Sequence, residues 1–282
     1  MLAHLRSPSG KNTSEKEATP SAFIWRDWKI KLGKLELANT TAELKMGNPM
    51  ATPGQFNVSD MHIDALGLNI EEINLGDRKA ELKMKSFSFA EKSGFILNQL
   101  AFDLSLNDKK VVLKKLDLNT PNNRLLSDIT VSYATLDSLI QNPISSDFDV
   151  DFQEADLSIL DAFYFAPELA KDTFIQSIQS YPIALSGVIS GKLKDVSISE
   201  LEISWLNSLE LNLNGRIKGL PDTNAIVVDI PDLALSLTKK DVLFFLKDTS
   251  LNLPDTISLQ AKLKGGLKDL QANLAVQTNM GN

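Results

Sequence analysis

Leu100-Ala-Phe-Asp-Leu-Ser-Leu-Asn107 sets the reading of the chain. Leu100, Phe102, Leu104 and Leu106 take every second position, with Asp103, Ser105 and Asn107 between them. Successive side chains of an extended chain point to opposite faces, so this stretch is a strand with one apolar and one polar face. The pattern recurs on both sides of it. Trp28, Ile30 and Leu32 alternate with Lys29 and Lys31, and Ala80, Leu82 and Met84 with Glu81, Lys83 and Lys85. Ile129, Val131 and Tyr133 repeat it, as do Phe148, Val150 and Phe152. Leu209, Leu211 and Leu213 stand against Glu210 and Asn212, and Ile257, Leu259, Ala261 and Leu263 against Ser258, Gln260 and Lys262. One-sided strands therefore dominate the chain.

The phase slips at several places: Leu32 to Leu35 and Leu37, Phe56 and Val58 to Met61 and Ile63, Ile70 to Ile73 and Leu75, Met84 to Phe87 and Phe89. An uncorrected slip of one residue would turn side chains to the wrong face. Each slip therefore predicts either a β-bulge that restores the face or a tight turn into the next strand, and bulges add twist. Asn107–Asp108, Pro121–Asn123 and Pro221–Asp222 mark turns. Helical pieces are few. Thr135–Asn142 is one, Ser158–Phe165 a second that stops at Pro167, and Pro167–Ser180 a third with proline in its first turn. Thr238 is the predicted cap of a last one, Lys239–Lys247, with Asp241 in the first turn.

The second half repeats itself. Gly191, Leu193, Lys194 and Asp195 stand in the same order as Gly265, Leu267, Lys268 and Asp269. Ile183 and Leu185 precede the first set as Ile257 and Leu259 precede the second, and Asp161-Ala-Phe-Tyr-Phe165 resembles Asp241-Val-Leu-Phe-Phe245. Repetition at this scale predicts an elongated array in which each unit closes on the next. The division expected is a disordered linker over 1–22, a β-rich segment over 23–147, and a repeated segment over 148–282 made of units near 148–220 and 221–282.

Composition narrows the function classes. The chain has 282 residues, 43% hydrophobic and 23% charged, and a net charge of −7 from 36 acidic against 29 basic side chains. No basic stripe is available to replace counterions on a nucleic acid. A purely electrostatic hold on anionic lipid is disfavoured for the same reason. Cysteine is absent, which removes disulfides and thiol chemistry. Ser7–Ser21 is polar and reads as linker, and no run of about 18 apolar residues offers a membrane span. The start carries no targeting signal and the strands run almost to Asn282, as expected of a piece of a longer protein.

Chemistry-bearing constellations are missing from the pattern. The two histidines are His4, in the polar tail, and His62, which falls on the polar side of its strand. No triad partner, P-loop, paired-histidine zinc motif or calcium loop is present. Asp149 and Asp151 share a strand face and are read as the polar face of an edge strand, where charge discourages strand addition. Gly265–Gly266 lacks the next glycine of a dinucleotide fingerprint and reads as a bend or bulge. Phe163, Tyr164 and Phe165, with Trp25, Trp28 and Trp205, are read as core. No catalytic residue, cofactor or metal is expected, and no nucleic-acid partner.

About fifteen strands with one apolar face each need cover, and the few short helices do not supply it. The sheet must then fold on itself as a sandwich, a closed barrel or an open trough. Here a resemblance bears on the choice. Trp25–Asp137 resembles the repetitive β region of the TamB family, large envelope proteins grouped with AsmA-like proteins, in its Bacteroidetes-type form. The residues that carry it are Phe56-Asn-Val58 before Met61-His-Ile63, Ser86-Phe-Ser-Phe-Ala-Glu-Lys-Ser-Gly-Phe95 leading into Leu97 and Leu100, and Leu116-Asp-Leu-Asn-Thr-Pro121. Asp156–Leu169 and the later Gly-x-Leu-Lys-Asp strands fit the same family.

The resemblance implies a long, strongly twisted antiparallel sheet forming a repeating β-groove. It implies a protein tethered to the inner membrane that crosses the periplasm, moves phospholipid to the outer membrane or aids outer-membrane protein assembly, and meets an outer-membrane barrel through regions outside this chain. The expected groove lining is Leu100, Phe102, Leu104, Leu209, Leu211, Leu213, Leu259 and Leu263, facing phospholipid acyl chains. The alternative is a β-sandwich adhesion or protein-interaction module that works through its surface loops. A glycan hydrolase would need two carboxylates about 5–10 Å apart across a cleft, and nothing in the sequence points to them.

Overall fold

Alternating segments without partners of their own must pair with one another, and here they pair in chain order. The computed structural model describes residues 24–47, 54–246 and 252–279. Its strands are β1 (Ile30–Leu32), β2 (Leu35–Lys45), β3 (Asp60–Gly76), β4 (Lys79–Glu91), β5 (Ile96–Leu97), β6 (Gln99–Asn107), β7 (Lys110–Asn119) and β8 (Arg124–Ser132). They continue with β9 (Asp147–Leu157), β10 (Ile183–Lys192), β11 (Asp195–Trp205), β12 (Leu209–Lys218), β13 (Val227–Thr238), β14 (Thr256–Gly266) and β15 (Gln271–Thr278). All fifteen belong to one antiparallel sheet. β1 and β2 lie end to end along β3, and β5 and β6 along β4, so the sheet is thirteen strand positions wide. It does not close: β15 pairs with β14, and β1 and β2 with β3. The sheet runs unbroken from β8 into β9, across residues 147 and 148. The linker expected over 1–22 lies outside the described residues.

The phase slips resolve as bulges and turns. Ile70 and Ile73 both belong to β3 and Met84 and Phe87 to β4, and the register between these strands shifts there. Leu32 and Leu35 flank the gap between β1 and β2. Before β3, a turn closed by the Asp60 N–H on the Asn57 carbonyl separates Val58 from Met61.

Further bulges fall in one line. Eight successive strand pairs, from β6–β7 to β13–β14, each shift register in mid-strand, for example at Ala101/Asp103, Leu113/Leu116, Ile198/Leu201 and Ile230/Leu233. Two of the extra residues, Lys115 (φ 54°) and Glu200 (φ 51°), are left-handed, and Gly187, opposite the bulge at Glu200, has φ 129°. A Cβ on Gly187 would lie 2.6 Å from the Glu200 carbonyl oxygen. A bulge bends its strand and raises local twist. Eight in line crease the sheet transversely to its strands, so each strand is a wall, a floor and an opposite wall.

Helices occupy the strand connections. α1 (Leu136–Gln141) starts at Thr135, whose hydroxyl accepts from the Ser138 N–H in a capping box. Between β9 and β10 the chain forms 3-10 turns at Ile159–Tyr164 and Pro167–Lys171, then α2 (Thr173–Ile178). The expected single helix over Pro167–Ser180 is broken there because Asp172 caps a fresh start, its carboxylate accepting from Phe174 and Ile175 N–H. α3 (Lys239–Leu246) follows β13. Thr238 does not cap it by accepting: its N–H and Oγ1 both donate to Asp241.

The repeat has a structural counterpart with a period of four strands. Asp161, after β9, accepts from Thr120, Asn122 and Asn123 in the β7–β8 turn. Asp241, after β13, accepts from Asn207 and Ser208 in the β11–β12 turn. Gly191 and Gly265 likewise end β10 and β14, with φ of 111° and 121°, each against the carbonyl of the aspartate four residues on.

Candidate apolar groove

Strand register decides which side chains share a face, because direct partners in an antiparallel pair point the same way. One row runs Ile73, Leu82, Leu104, Leu113, Ile129, Val150, Ile189, Ile198 from β3 to β11. A second, beyond the crease, runs Leu100, Leu118, Leu125, Ala155, Leu185, Ile203, Leu211, Leu235, Leu259, Val276 from β6 to β15. Between them, on the crease, Leu116 pairs with Ser127 and Ser127 with Phe152, and farther along Leu201 pairs with Leu213, Leu213 with Leu233 and Leu233 with Ala261. These rows are all on one face of the sheet.

Burial follows the crease. Ser127 is fully buried, Ala155 is 1% exposed and Leu201 7%. Val196, Ile198 and Leu201 form a buried cluster with Phe148, Ile189, Ile203 and Leu213 packed around it. No second layer covers this face among the described strands, so the neighbouring walls of the same sheet supply the cover. The small floor residues Ser127, Ala155, Gly187 and Ala261 let the strand bend sharply without crowding. The Ser127 hydroxyl is spent on the Asp151 carbonyl.

All eight expected lining residues fall on this face. Leu100, Phe102 and Leu104 sit in β6, Leu209, Leu211 and Leu213 in β12, Leu259 and Leu263 in β14, and all are half-buried. Side chains interleaved between two stacked sheets would be fully buried. The intermediate rows, Leu118, Leu125, Leu185, Ile203 and Leu235, were not among the expected lining. Their own alternation was available as a signal.

The opposite face is polar and carries the ion pairs. Its matching row reads Asn74, Glu81, Ser105, Val112, Thr130, Asp149, Ser190, Ser197, Arg216, Asp229, Lys264. Arg216 grips Asp195 through two bonds of 2.5 and 2.6 Å, and Lys114 meets Asp128 at 2.9 Å. The hydrogen bond from Arg216 holds the Asp195 carboxyl below its ordinary range, and that from Lys114 does the same for Asp128. Asp149 and Asp151 lie here on β9, which has β8 and β10 on either side; they are interior and not on an edge strand. His62 is 3.4 Å from Asp64 on the exposed surface of β3. Among the described residues no group of three His, Cys, Asp or Glu is placed to hold a metal, and no helix is long and apolar enough to cross a membrane.

Aromatic side chains gather along one rim. Tyr164 and Phe165 pack on Phe95 at ring-centroid distances of 5.7 and 5.2 Å, Phe165 on Phe56 at 5.1 Å, and Phe95 on Phe89 of the groove face at 6.0 Å. One repeat later Phe245 lies 6.0 Å from Trp205, whose partner in β12 is Leu209. Of the rings expected to be core, Phe163, Tyr164, Trp25 and Trp205 are half-buried, while Phe165 is 54% exposed because it closes the lip of a groove with no opposite layer above it, and Trp28, near the β1 edge, is 59% exposed.

Compared with known proteins, the chain matches no family model, no curated protein and no solved structure. The groove's reading therefore rests on its own geometry.

Proposed function

We propose that this chain is a non-enzymatic groove segment that shelters phospholipid acyl chains, in the manner of the TamB-like envelope proteins its sequence resembles. The supporting observation is the unbroken apolar face. Thirteen strand positions at a spacing of about 4.8 Å give a floor about 58 Å long, close to four times the ~15 Å depth of one membrane leaflet. A face of this size left open to water carries a large hydrophobic cost, which an acyl chain removes and a polar ligand does not. The polar back keeps the segment soluble while the groove is occupied. A periplasmic position, with a tether to the inner membrane and a barrel partner at the outer membrane, belongs to the same proposal.

The test is native mass spectrometry, with lipid extraction, on the 282-residue chain purified from a bacterial envelope. Bound phospholipid is expected with the native sequence. It should be lost in Phe102→Asp and Leu211→Asp, which charge the crease and one wall, and retained in Ser197→Asp on the polar face, with circular dichroism showing all three folded. A folded native chain free of lipid, or equal loss from the Ser197 variant, defeats the proposal.

A further inference from the structure

Past the ends of β3, β4, β6, β7 and β8 lies a cavity of about 580 Å³, a volume typical of small-molecule sites. It is lined by Ile24–Asp27 and Lys29, by the β3–β4 turn (Asp77, Arg78), by the β6–β7 turn (Asp108, Lys109) and by Ala134–Asp137 at the start of α1. The outermost apolar row of these strands is Leu75, Ala80, Leu106, Val111 and Val131. Each of its members stands two or three residues along the chain from a lining residue, so the cavity sits at the lip of the groove.

The charges around it balance: Arg26, Lys29, Arg78 and Lys109 face Asp27, Asp77, Asp108 and Asp137, four of each. Some are already matched. Asp108 accepts from the Trp25 indole N–H at 2.7 Å and from Arg78 at 2.5 Å, and Lys29 meets Asp77 at 2.7 Å. Lys109 gives one N–H to the Ala134 carbonyl at 2.5 Å and has two more to offer. Arg26 and Asp27 are exposed and stand in no ion pair among the described residues. A neutral cavity with a spare cation beside a spare carboxylate suits a ligand of both signs. A ligand that is only anionic would meet four carboxylates uncompensated.

We propose that this cavity holds a phosphate ester carrying an ammonium group, the headgroup of a zwitterionic phospholipid whose chains lie in the groove; the inference rests on the acyl-chain reading of that groove. Arg26 and Lys109 take the phosphate oxygens and Asp27 takes the ammonium.

In the test, the 282-residue chain is mixed with vesicles of equal parts phosphatidylethanolamine and phosphatidylglycerol with the same acyl chains, and the bound lipid is identified by mass spectrometry. The zwitterionic lipid should be enriched roughly fivefold over the anionic one. The double variant Arg26→Ala, Asp27→Ala should lose this preference and keep its total bound lipid, because the apolar face is untouched. Asp27→Lys should turn the preference toward phosphatidylglycerol. In a second arm without lipid, O-phosphoethanolamine should shift the Trp25 indole N–H signal in NMR, assigned by its loss in Trp25→Phe, and should leave that signal unmoved in the double variant. Lipid bound in equal proportions, or a preference that survives the double variant, overturns the proposal and leaves the acyl-chain reading standing. No bound lipid defeats that reading; a Trp25 shift then supports the cavity's chemistry with the free phosphate ester as its ligand, and no shift overturns the proposal as well.

Discussion

Asp241 shows how one side chain holds the rim together. It is 1% exposed, yet its two oxygens accept from the N–H and hydroxyl of Thr238, the N–H and amide of Asn207, and the Ser208 hydroxyl. Burial pushes its pKa upward, but the hydrogen bonds from Thr238, Asn207 and Ser208 together outweigh burial and hold it at about 2. The folded value lies below the unfolded one, near 3.9. The carboxylate's contribution is therefore complete above roughly pH 4 and is lost as pH falls through about 2. Asp241→Asn leaves donors facing donors and should cost about 3 kcal/mol at pH 7 in urea unfolding. The gap between variant and native chain should narrow by pH 2.5, and a gap independent of pH would refute this account. The sequence matched Asp161 with Asp241 as repeat positions, but their role was not legible. Their partners at Thr120–Asn123 and Asn207–Ser208 lie 33 to 41 residues away, and only the paired strands of the sheet bring them together.

At the scale of the element, the bulge line does the shaping, and two facing residues on it should respond with opposite signs. Gly187→Ala would place a Cβ against the Glu200 carbonyl at φ 129°, and should cost at least about 2 kcal/mol. Glu200→Gly relieves a left-handed residue whose side chain is exposed, and should gain roughly 0.5 kcal/mol. Urea midpoints for the two variants check both; a Gly187→Ala change within 0.5 kcal/mol of native would remove the steric argument. Strand identity was plain in the sequence because period two survives in every wall, and so were bulges where Ile70 slips to Ile73 and Met84 to Phe87. Their alignment into one crease was not. It depends on register between strands, and Lys115 and Glu200 look like any polar strand residue. Helix endings were the least legible: Pro167–Ser180 has a continuous apolar pattern, and only Asp172, a better cap than helix interior, divides it.

For the whole molecule, a four-strand period means that units should be removable. Deleting residues 161–240 joins Leu160 to Asp241, so that β9 leads through α3 into β14. Asp241 then stands where Asp161 stood, over Thr120, Asn122 and Asn123. The shortened chain should fold cooperatively and, in small-angle scattering, be shorter by four strand spacings, about 19 Å. A chain without strand signal in circular dichroism would show that the likeness between units is only local. The open architecture itself was legible as a choice among sandwich, barrel and trough. The choice turned on half-buried walls such as Leu104 and Leu211, a property that no pattern of residue types contains.

From β3 to β15 the sheet grows in the order in which the chain is written. Each new strand meets an edge that has already formed, with helix-bearing detours between β8 and β9, β9 and β10, and β13 and β14. A chain arriving from its N-terminal end, from a ribosome or through a translocation pore, can therefore lay down its structure as it emerges. No strand laid down must wait for a distant strand to pair with, and at every stage one fresh edge is presented to whatever strand comes next.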